Sequence, residues 1–340
     1  MFFDTVKVVY RCKHKPFGTS VEYGRGTDKE RLSHKSVSVK GRFKGCRLNV
    51  VSARKGELLI VEGSFPRFLQ GHNVLGSDDL LRMTYRVFKN VTKILGIKPS
   101  NTEIKAVKRG AVEVERLDFT RIALLESAAE VIAALTALRL ELPFRTHAFS
   151  CYGVETIYVQ QRSRKWTLKF YNKAAHLREY PLPKDLPLRE KLLELTEKLL
   201  RIELTLRQDE LRRVGIVNVA DVKVGRIDRI FLQRLRDLNL RRVDVLFTEP
   251  PGDLSVAAKL VREIYLRGGV MPTYVPPSTA SYYSRLLKQR IGLDMRTPKE
   301  HADAAEKLID LREVLSEKLQ RGAPKWVRES GLVWSASKNS

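Results

Sequence analysis

The chain has 340 residues, 43% of them hydrophobic and 8% aromatic, enough to bury a sizeable core and too apolar for a disordered protein. Lysine and arginine number 63 against 39 acidic residues, and the formal net charge of +24 points to a polyanionic partner: nucleic acid first, a membrane surface second. Cys12, Cys46 and Cys151 are too far apart for a disulfide framework or a C-x-x-C zinc site, which fits a reducing compartment.

In chain order, residues 1 to about 70 read as strands. "DTVKVVYRC", "KSVSVKGRF", "CRLNVVSAR" and "GELLIVEGSF" alternate or run apolar, with glycine and lysine between them. Residues 66–97 turn helical, with Ser77 or Asp78 as cap and Leu80, Leu81, Tyr85, Val87, Phe88 and Val91 on the helix; "KPSN" ends it. "AVEVERLDFTRIAL" predicts a strand and "LESAAEVIAALTALRLEL" a helix closed by Pro143. Residues 147–173 are β-rich, "YPLPKDLPL" is a link, "REKLLELTEKLL" a helix and "LRIELTLRQDEL" opens as a strand. "IVNVADVKVG" is a last alternating run, and helices dominate from residue 226 onward. This pattern predicts an α+β fold, with a mostly antiparallel central sheet, helices on one face and a mainly helical C-terminal region. The expected divisions are a strand-rich part and helix at 1–100, a catalytic sheet region at 101–215 forming one unit with it, and helices at 216–340. The beginning of the chain lacks a signal-peptide run and no stretch approaches the roughly 20 apolar residues of a membrane span, so a cytoplasmic protein without membrane partners is expected.

The period of two sorts three strands into faces. Leu117 and Phe119 share one face of the first, opposite Arg116, Asp118 and Thr120. In the second, Trp166, Leu168 and Phe170 lie opposite Lys169, Tyr171 and Lys173. In the third, Ile202, Leu204 and Leu206 lie opposite Arg201, Glu203, Thr205 and Arg207. If the three are neighbours, one polar face gathers Asp118, Glu203, Tyr171 and Lys173. Two carboxylates suit a hard cation such as Mg²⁺ or Mn²⁺. A tyrosine is a usable nucleophile on phosphorus, and an ammonium beside it favours the phenolate and offsets transition-state charge. The plainer alternative is a solvated face, with Asp118 paired to Arg116 or Arg121 and Glu203 to Arg201.

The stretches "LQGHNVLGSDDL" (69–80), "RLDFT" (116–120), "WTLKFYNK" (166–173) and "RIELTLR" with "ELRRVG" (201–215) carry a resemblance. In order and spacing they resemble the filamentous-phage gene II replication initiators, and more loosely the plasmid rolling-circle initiators of the Rep_trans type; the likeness spans about residues 60 to 295. It implies an HUH-like nuclease sheet, although no His-hydrophobic-His motif is present. It further implies a rolling-circle initiator that nicks the plus strand at a double-stranded origin, leaves a 5′-phosphotyrosine and a free 3′-OH for host polymerase and helicase, and later closes the single-stranded circle. The family tyrosine falls on Tyr171, its lysine on Lys173, and its acidic metal positions on Asp118 and Glu203. His147 is a candidate third ligand, or an ordinary histidine. His72 is a candidate DNA contact, or shapes a loop between Gly71 and Gly76. Arg162, Arg164 and Lys165 are candidate phosphate contacts; Trp166 either stacks a base or joins the core. Tyr282, Arg285 and Gln289 share a face of a C-terminal helix that suits a DNA groove or packing. The competing reading is a non-catalytic DNA-binding replication regulator with the same fold; a tyrosine recombinase is disfavoured, because it uses Arg and His rather than acidic ligands.

Overall fold

The computed structural model describes residues 1–18, 20–22, 34–142, 148–152, 155–240, 242–244, 254–266, 276–291, 308–316, 319 and 324–333. The N-terminal elements are β1 (Phe2–Arg11), β2 (Ser20–Glu22), β3 (His34–Lys40), β4 (Arg47–Ala53), β5 (Leu58–Ser64), α1 (Phe65–Gln70), α2 (Leu80–Ile94) and α3 (Asn101–Lys108). The middle of the chain forms β6 (Glu113–Leu124), α4 (Ala128–Glu141), β7 (Phe149–Tyr152), β8 (Thr156–Val159), β9 (Trp166–Asn172), α5 (Lys173–Glu179), α6 (Arg189–Glu197), β10 (Leu199–Arg207) and α7 (Gln208–Arg213). Then come α8 (Val224–Asp237), β11 (Arg242–Asp244), α9 (Val256–Leu266), α10 (Pro277–Ile291), β12 (Leu308–Asp310), α11 (Leu311–Ser316) and α12 (Lys325–Glu329).

Among the described residues, one ten-stranded sheet runs in the order β2-β3-β4-β5-β1-β6-β10-β9-β8-β7, and every pairing is antiparallel. The fold is α+β with a large antiparallel sheet and a mainly helical C-terminal part, as the element pattern predicted. The apolar face carries the larger core. Leu117 and Phe119 of β6, Leu168 and Phe170 of β9, and Ile202, Leu204 and Leu206 of β10 are fully buried in it. Over them lie α2 with Met83, Val87 and Phe88, α4 with Val131, Ala134 and Leu138, α8 with Ile227 and Phe231, and α11 with Leu311 and Val314. This core thus continues past residue 216. The two helices α9 and α10 pack on each other in a separate cluster built on Ala258, Val261, Ile264 and Leu287.

Coverage extends to the second face. Ile122 and Leu199, both on the polar face, join Val74, Leu75, Leu177, Leu182, Leu186 and Leu192 in another buried cluster. Half of the polar face therefore lies beneath the 71–79 loop, α5 and α6. Two glycines make this close approach possible. Gly71 ends α1 in the left-handed region with φ 88°. A Cβ on Gly76 would fall 2.6 Å from the Phe2 ring.

Local sequence explains the departures from the expected elements. Ser100 and Glu103 form a reciprocal capping box and start α3 where the sequence reading placed only a helix end. Residues 218–222 make a 3-10 turn, joined to the sheet by the single bridge Glu113–Asn218, in place of an alternating strand. Lys173 is the first residue of α5, so it does not lie on the strand as its spacing from Tyr171 suggested. The strand stops at Asn172 because its Oδ1 accepts from Ala174 N at 2.9 Å and Ala175 N at 3.2 Å, which makes it a helix N-cap.

Asn172→Ala removes this cap and is expected to cost about 1–2 kcal/mol. Asn172→Ser keeps an acceptor and should lose less. Urea unfolding of the two variants beside the wild type measures it, and equal losses would refute the capping role.

Candidate active site

β10 lies between β6 and β9, so the three strands singled out by face are neighbours. Arg201 is paired across from Tyr171, Glu203 from both Lys169 and Thr120, and Thr205 from Asp118. Paired residues point to the same face, so Tyr171, Lys169, Arg201, Glu203 and Asp118 form one patch. Tyr171 is only 2% exposed. Its ring centroid lies 4.1 Å from Lys169 Nζ, 5.6 Å from the Arg201 guanidinium carbon and 6.0 Å from Lys173 Nζ. His176, one turn into α5, places its ring 5.4 Å from the Tyr171 ring and stacks on Tyr180 at 5.0 Å.

Arg201 is fully buried and organises the covered half of the patch. Its Nη2 is hydrogen-bonded to Asp4 and lies 3.3 Å from Glu203 Oε1; its Nη1 donates to the Asn73 carbonyl. Asp4 is brought here by an irregularity in β1, where the register against β6 shifts between Phe3 and Val6. Its carboxylate also accepts from Ser64 Oγ and from Asn73 Nδ2 at 2.9 Å. Asn73 Oδ1 in turn accepts from Lys173 Nζ at 3.0 Å. One asparagine of the 71–79 loop thus ties together the buried arginine, aspartate and lysine. The Arg201 Nε and His176 Nδ1 are buried without hydrogen-bond partners.

Burial dominates the electrostatics. It pushes the Tyr171 phenol well above its ordinary pKa, against the pull of Arg201, and the nearby Glu203 and Asp4 carboxylates push the same way. The phenol is therefore neutral in the ligand-free protein. Burial, with Arg201, depresses the Lys173 pKa well below that of an exposed ammonium, although Asp4 and Glu203 oppose this. Lys169 is lowered for the same first reason. Burial also raises Asp118 to about 6 despite Arg116, with Glu203 adding to the rise. For Asp4 burial is again the largest single cause and acts upwards, but Arg201, Ser64, Lys173 and Asn73 together outweigh it and hold the carboxyl below its usual value.

Asp118 and Glu203 sit diagonally on neighbouring strands and offer only hard oxygen donors, the chemistry that Mg²⁺ and Mn²⁺ prefer. Among the described residues no group of three His, Cys, Asp or Glu stands together for a metal ion. Two carboxylates alone would hold such an ion only with water and substrate oxygens completing its shell. Each carboxylate already has a cation. Arg116 donates to Asp118 at 3.0 and 2.8 Å, and Glu203 faces Arg201. The pairings weighed from sequence are thus present, but Asp118 is buried rather than solvated, and Arg121 binds Asp228 instead. His147 lies outside the described residues.

The other sequence candidates are placed apart. His72 is fully buried: its Nε2–H donates to the Leu332 carbonyl at 3.0 Å, and Nδ1 faces Gln70 Nε2 at 3.5 Å. Arg162, Arg164 and Lys165 are exposed on the β8–β9 turn. That turn is at the far end of β9 from Tyr171, about 16 Å away at the usual rise per strand residue. Trp166 packs against the larger core, with the Arg234 guanidinium 4.6 Å from its ring. Tyr282, Arg285 and Gln289 are exposed on α10. Sequence reasoning passed over Arg201, Lys169, Asp4, Asn73 and His176. Arg201 and Lys169 were on the sorted polar faces, and Asn73 lies inside the "LQGHNVLG" motif. Asp4 gave no local signal.

The fold and the patch define a basic antiparallel-sheet protein whose main ionisable cluster combines a tyrosine with buried cations and carboxylates. A family model for the N-terminal part of the gene II replication-associated protein, Phage_CRI, matches residues 2–225. The chain belongs to that family, the phage gene II group that its motifs resemble. It is 23% identical to the replication-associated protein of the same name from Enterobacteria phage I2-2 over 329 residues, covering 93% of each chain. A solved structure of a rolling circle replication initiator protein from Geobacillus stearothermophilus aligns over 75% of this chain and 89% of its own, with 13% identity and a TM-score of 0.31, too low to establish a shared fold. No helix among the described residues is long and apolar enough to cross a membrane.

Burial lowers the His72 pKa from 6.5 to about 4, so the unfolded chain takes up this proton first as pH falls. The stability that neutral His72 provides is complete above pH about 6.5 and is lost towards pH 4. Asp118, raised to about 6, acts in the opposite sense between about pH 6 and 4. The difference between the wild type and His72→Gln isolates the histidine. Its unfolding free energy is expected to fall less steeply from pH 6.5 to 4 than that of the wild type, and parallel curves would refute the buried neutral imidazole.

Proposed function

We propose that the protein is a phage rolling-circle replication initiator, which nicks one strand of its double-stranded origin with Tyr171 as nucleophile. The observation that carries this is the setting of Tyr171: directly across from Arg201, with Lys169 beside it and Glu203 diagonal to it, on two paired strands of a chain whose family and relative are named for replication. A net charge of +24 and the exposed Arg162, Arg164 and Lys165 suit a DNA substrate. Four further arginines, Arg213, Arg226, Arg229 and Arg234, line a cleft between α7 and α8. His72, being buried, serves to shape the 71–79 loop.

In the proposed reaction the Tyr171 Oη attacks the scissile phosphorus. The Oη–P bond forms as the P–O3′ bond breaks, leaving a 5′-phosphotyrosine and a 3′-OH. The phenol loses one proton and the 3′ oxygen gains one, so the proton count balances. Lys169 and Arg201 stabilise the charge that develops on the phenol and phosphate; Lys173, held by Asn73, adds to this field. Asp118 and Glu203 are the residues proposed to hold Mg²⁺ or Mn²⁺, which when bound supplies Lewis-acid neutralisation of the phosphate. The phosphodiester energy is kept in the phosphotyrosine, so the reverse attack by a 3′-OH rejoins strands and closes a circle without another energy source. Host polymerase and helicase then act on the exposed 3′ end and the duplex ahead of it.

The test is nicking of a supercoiled plasmid that carries the element's own intergenic region, with Mg²⁺ or Mn²⁺ and with EDTA. The wild type is expected to leave protein on a 5′ end in the presence of metal, and Tyr171→Phe to fall by at least about a thousandfold, as loss of a nucleophile does. An equally active Tyr171→Phe would remove Tyr171 from the chemistry. Tight, salt-sensitive binding without any nick would favour the non-catalytic regulator.

A further inference from the structure

The polar face of the sheet does not end at Tyr171. Lys169 is paired across from Tyr158 of β8, and Tyr158 from Ser150 of β7, so Tyr158 and Ser150 share the face of the tyrosine. Tyr152, two residues beyond Ser150, faces the same way. Lys169 Nζ stands 4.1 Å from the Tyr171 ring centroid and 5.4 Å from that of Tyr158. Tyr158 meets Tyr152 edge to face at 5.5 Å. Along this row the rings become more open, from 2% exposed at Tyr171 to 57% at Tyr152. Tyr152 is held in place by its hydroxyl, which lies 2.9 Å from Gln161 Nε2, while Gln161 Oε1 accepts from Ser150 Oγ at 2.6 Å.

A tyrosine this exposed contributes little to the core. Exposed rings on a cationic sheet face are instead the arrangement on which nucleobases stack, with the cation beside the intervening phosphate. From β9 to β7 is about 10 Å at the usual strand spacing, room for about two bases. We propose that Tyr152, Tyr158 and Lys169 form a stacking path for single-stranded DNA that leads the nucleotides next to the scissile phosphate to Tyr171. The path deepens the nickase reading, in that it positions the strand that Tyr171 is proposed to attack. Its binding function stands independently of the chemistry. It accepts bases of any identity, since every base has a stacking face, and it takes no part in holding a paired duplex, whose bases are already stacked.

The probe is a labelled oligo(dT) of about 10 nucleotides, within the usual site size of such grooves. An abasic strand of the same length and charge serves as reference. Binding is read by fluorescence anisotropy in EDTA, in a Tyr171→Phe background, so that failure of the nicking chemistry leaves the measurement intact. The parent is expected to bind oligo(dT) more tightly than the abasic strand. Tyr152→Ala should weaken oligo(dT) binding about 5- to 100-fold and leave abasic binding and a blunt duplex unchanged. Tyr152→Phe, which keeps the ring but loses its hydrogen bonds to Gln161, should lose much less affinity than Tyr152→Ala. Tyr158→Leu, which keeps apolar bulk without the ring, should lose affinity in the same selective way. The proposal is overturned if Tyr152→Ala binds oligo(dT) normally, if abasic or duplex binding falls in step with it, or if Tyr152→Phe is as weak as Tyr152→Ala.

Discussion

A guanidinium with no exposed surface sits in the middle of the central sheet, and the polar face is arranged around it. Burying an unpaired charge costs several kcal/mol even after relaxation, so Arg201 is tenable only where oxygen acceptors surround it. Two come from distant parts of the chain, Asp4 from the first strand and the Asn73 carbonyl from the loop after α1, and the third, Glu203, from its own strand. This requirement welds the N-terminal strands to the strands that carry the candidate chemistry. Phe2 closes the arrangement, its ring centroid 5.1 Å from the guanidinium carbon. The same arginine faces Tyr171 across the β9–β10 pair, so what stabilises the fold here also sets the field at the phenol.

The patch is asymmetric in its exposure. On one side the 71–79 loop, α5 and α6 seal Tyr171, Lys173 and Asp4 from water; on the other the face opens through Lys169 and Tyr158 towards the sheet edge. Dehydration makes each electrostatic contact stronger and each unpaired charge dearer. It also explains why the phenol is neutral and the two lysines are weakened as ammonium ions in the ligand-free protein. A bound phosphodiester would add negative charge to a cluster rich in cations and would favour their charged forms. In the proposed reaction, the arrival of substrate is therefore itself part of the activation of the site.

Helices divide the remaining work. Those on the apolar face bury the continuous run of β6, β9 and β10, and fix the pairing of the strands beneath. The short α5 does something different. Its N-cap, Asn172, follows Tyr171 directly, and its first residue is Lys173, so the strand end, the helix start and the buried amine are set by one junction. Strand-to-helix junctions of this kind hold a side chain more firmly than a loop does.

Much of this was legible in residues alone. The period of two told which side chains of β6, β9 and β10 share a face, because strand geometry alternates whatever the neighbours are. The charge balance pointed to a polyanion, and four short motifs to the phage family. Other features had no local signature. The sorting by face could not say that β10 lies between β6 and β9, since strand order is a choice among long-range pairings. It placed Lys173 on the strand, because only the cap bonds of Asn172 show where the strand stops. It passed over Asp4, whose role arises from an irregularity in β1 and from a partner 197 residues away. It left open whether the polar face is solvated or covered, because a row of charged residues reads alike whether water or a loop lies over it. By itself the sequence determined the alternation, the charge and the family. Only the tertiary structure decided which cations surround the tyrosine and which of them are buried, because burial and pairing are properties of segments brought together rather than of any one segment.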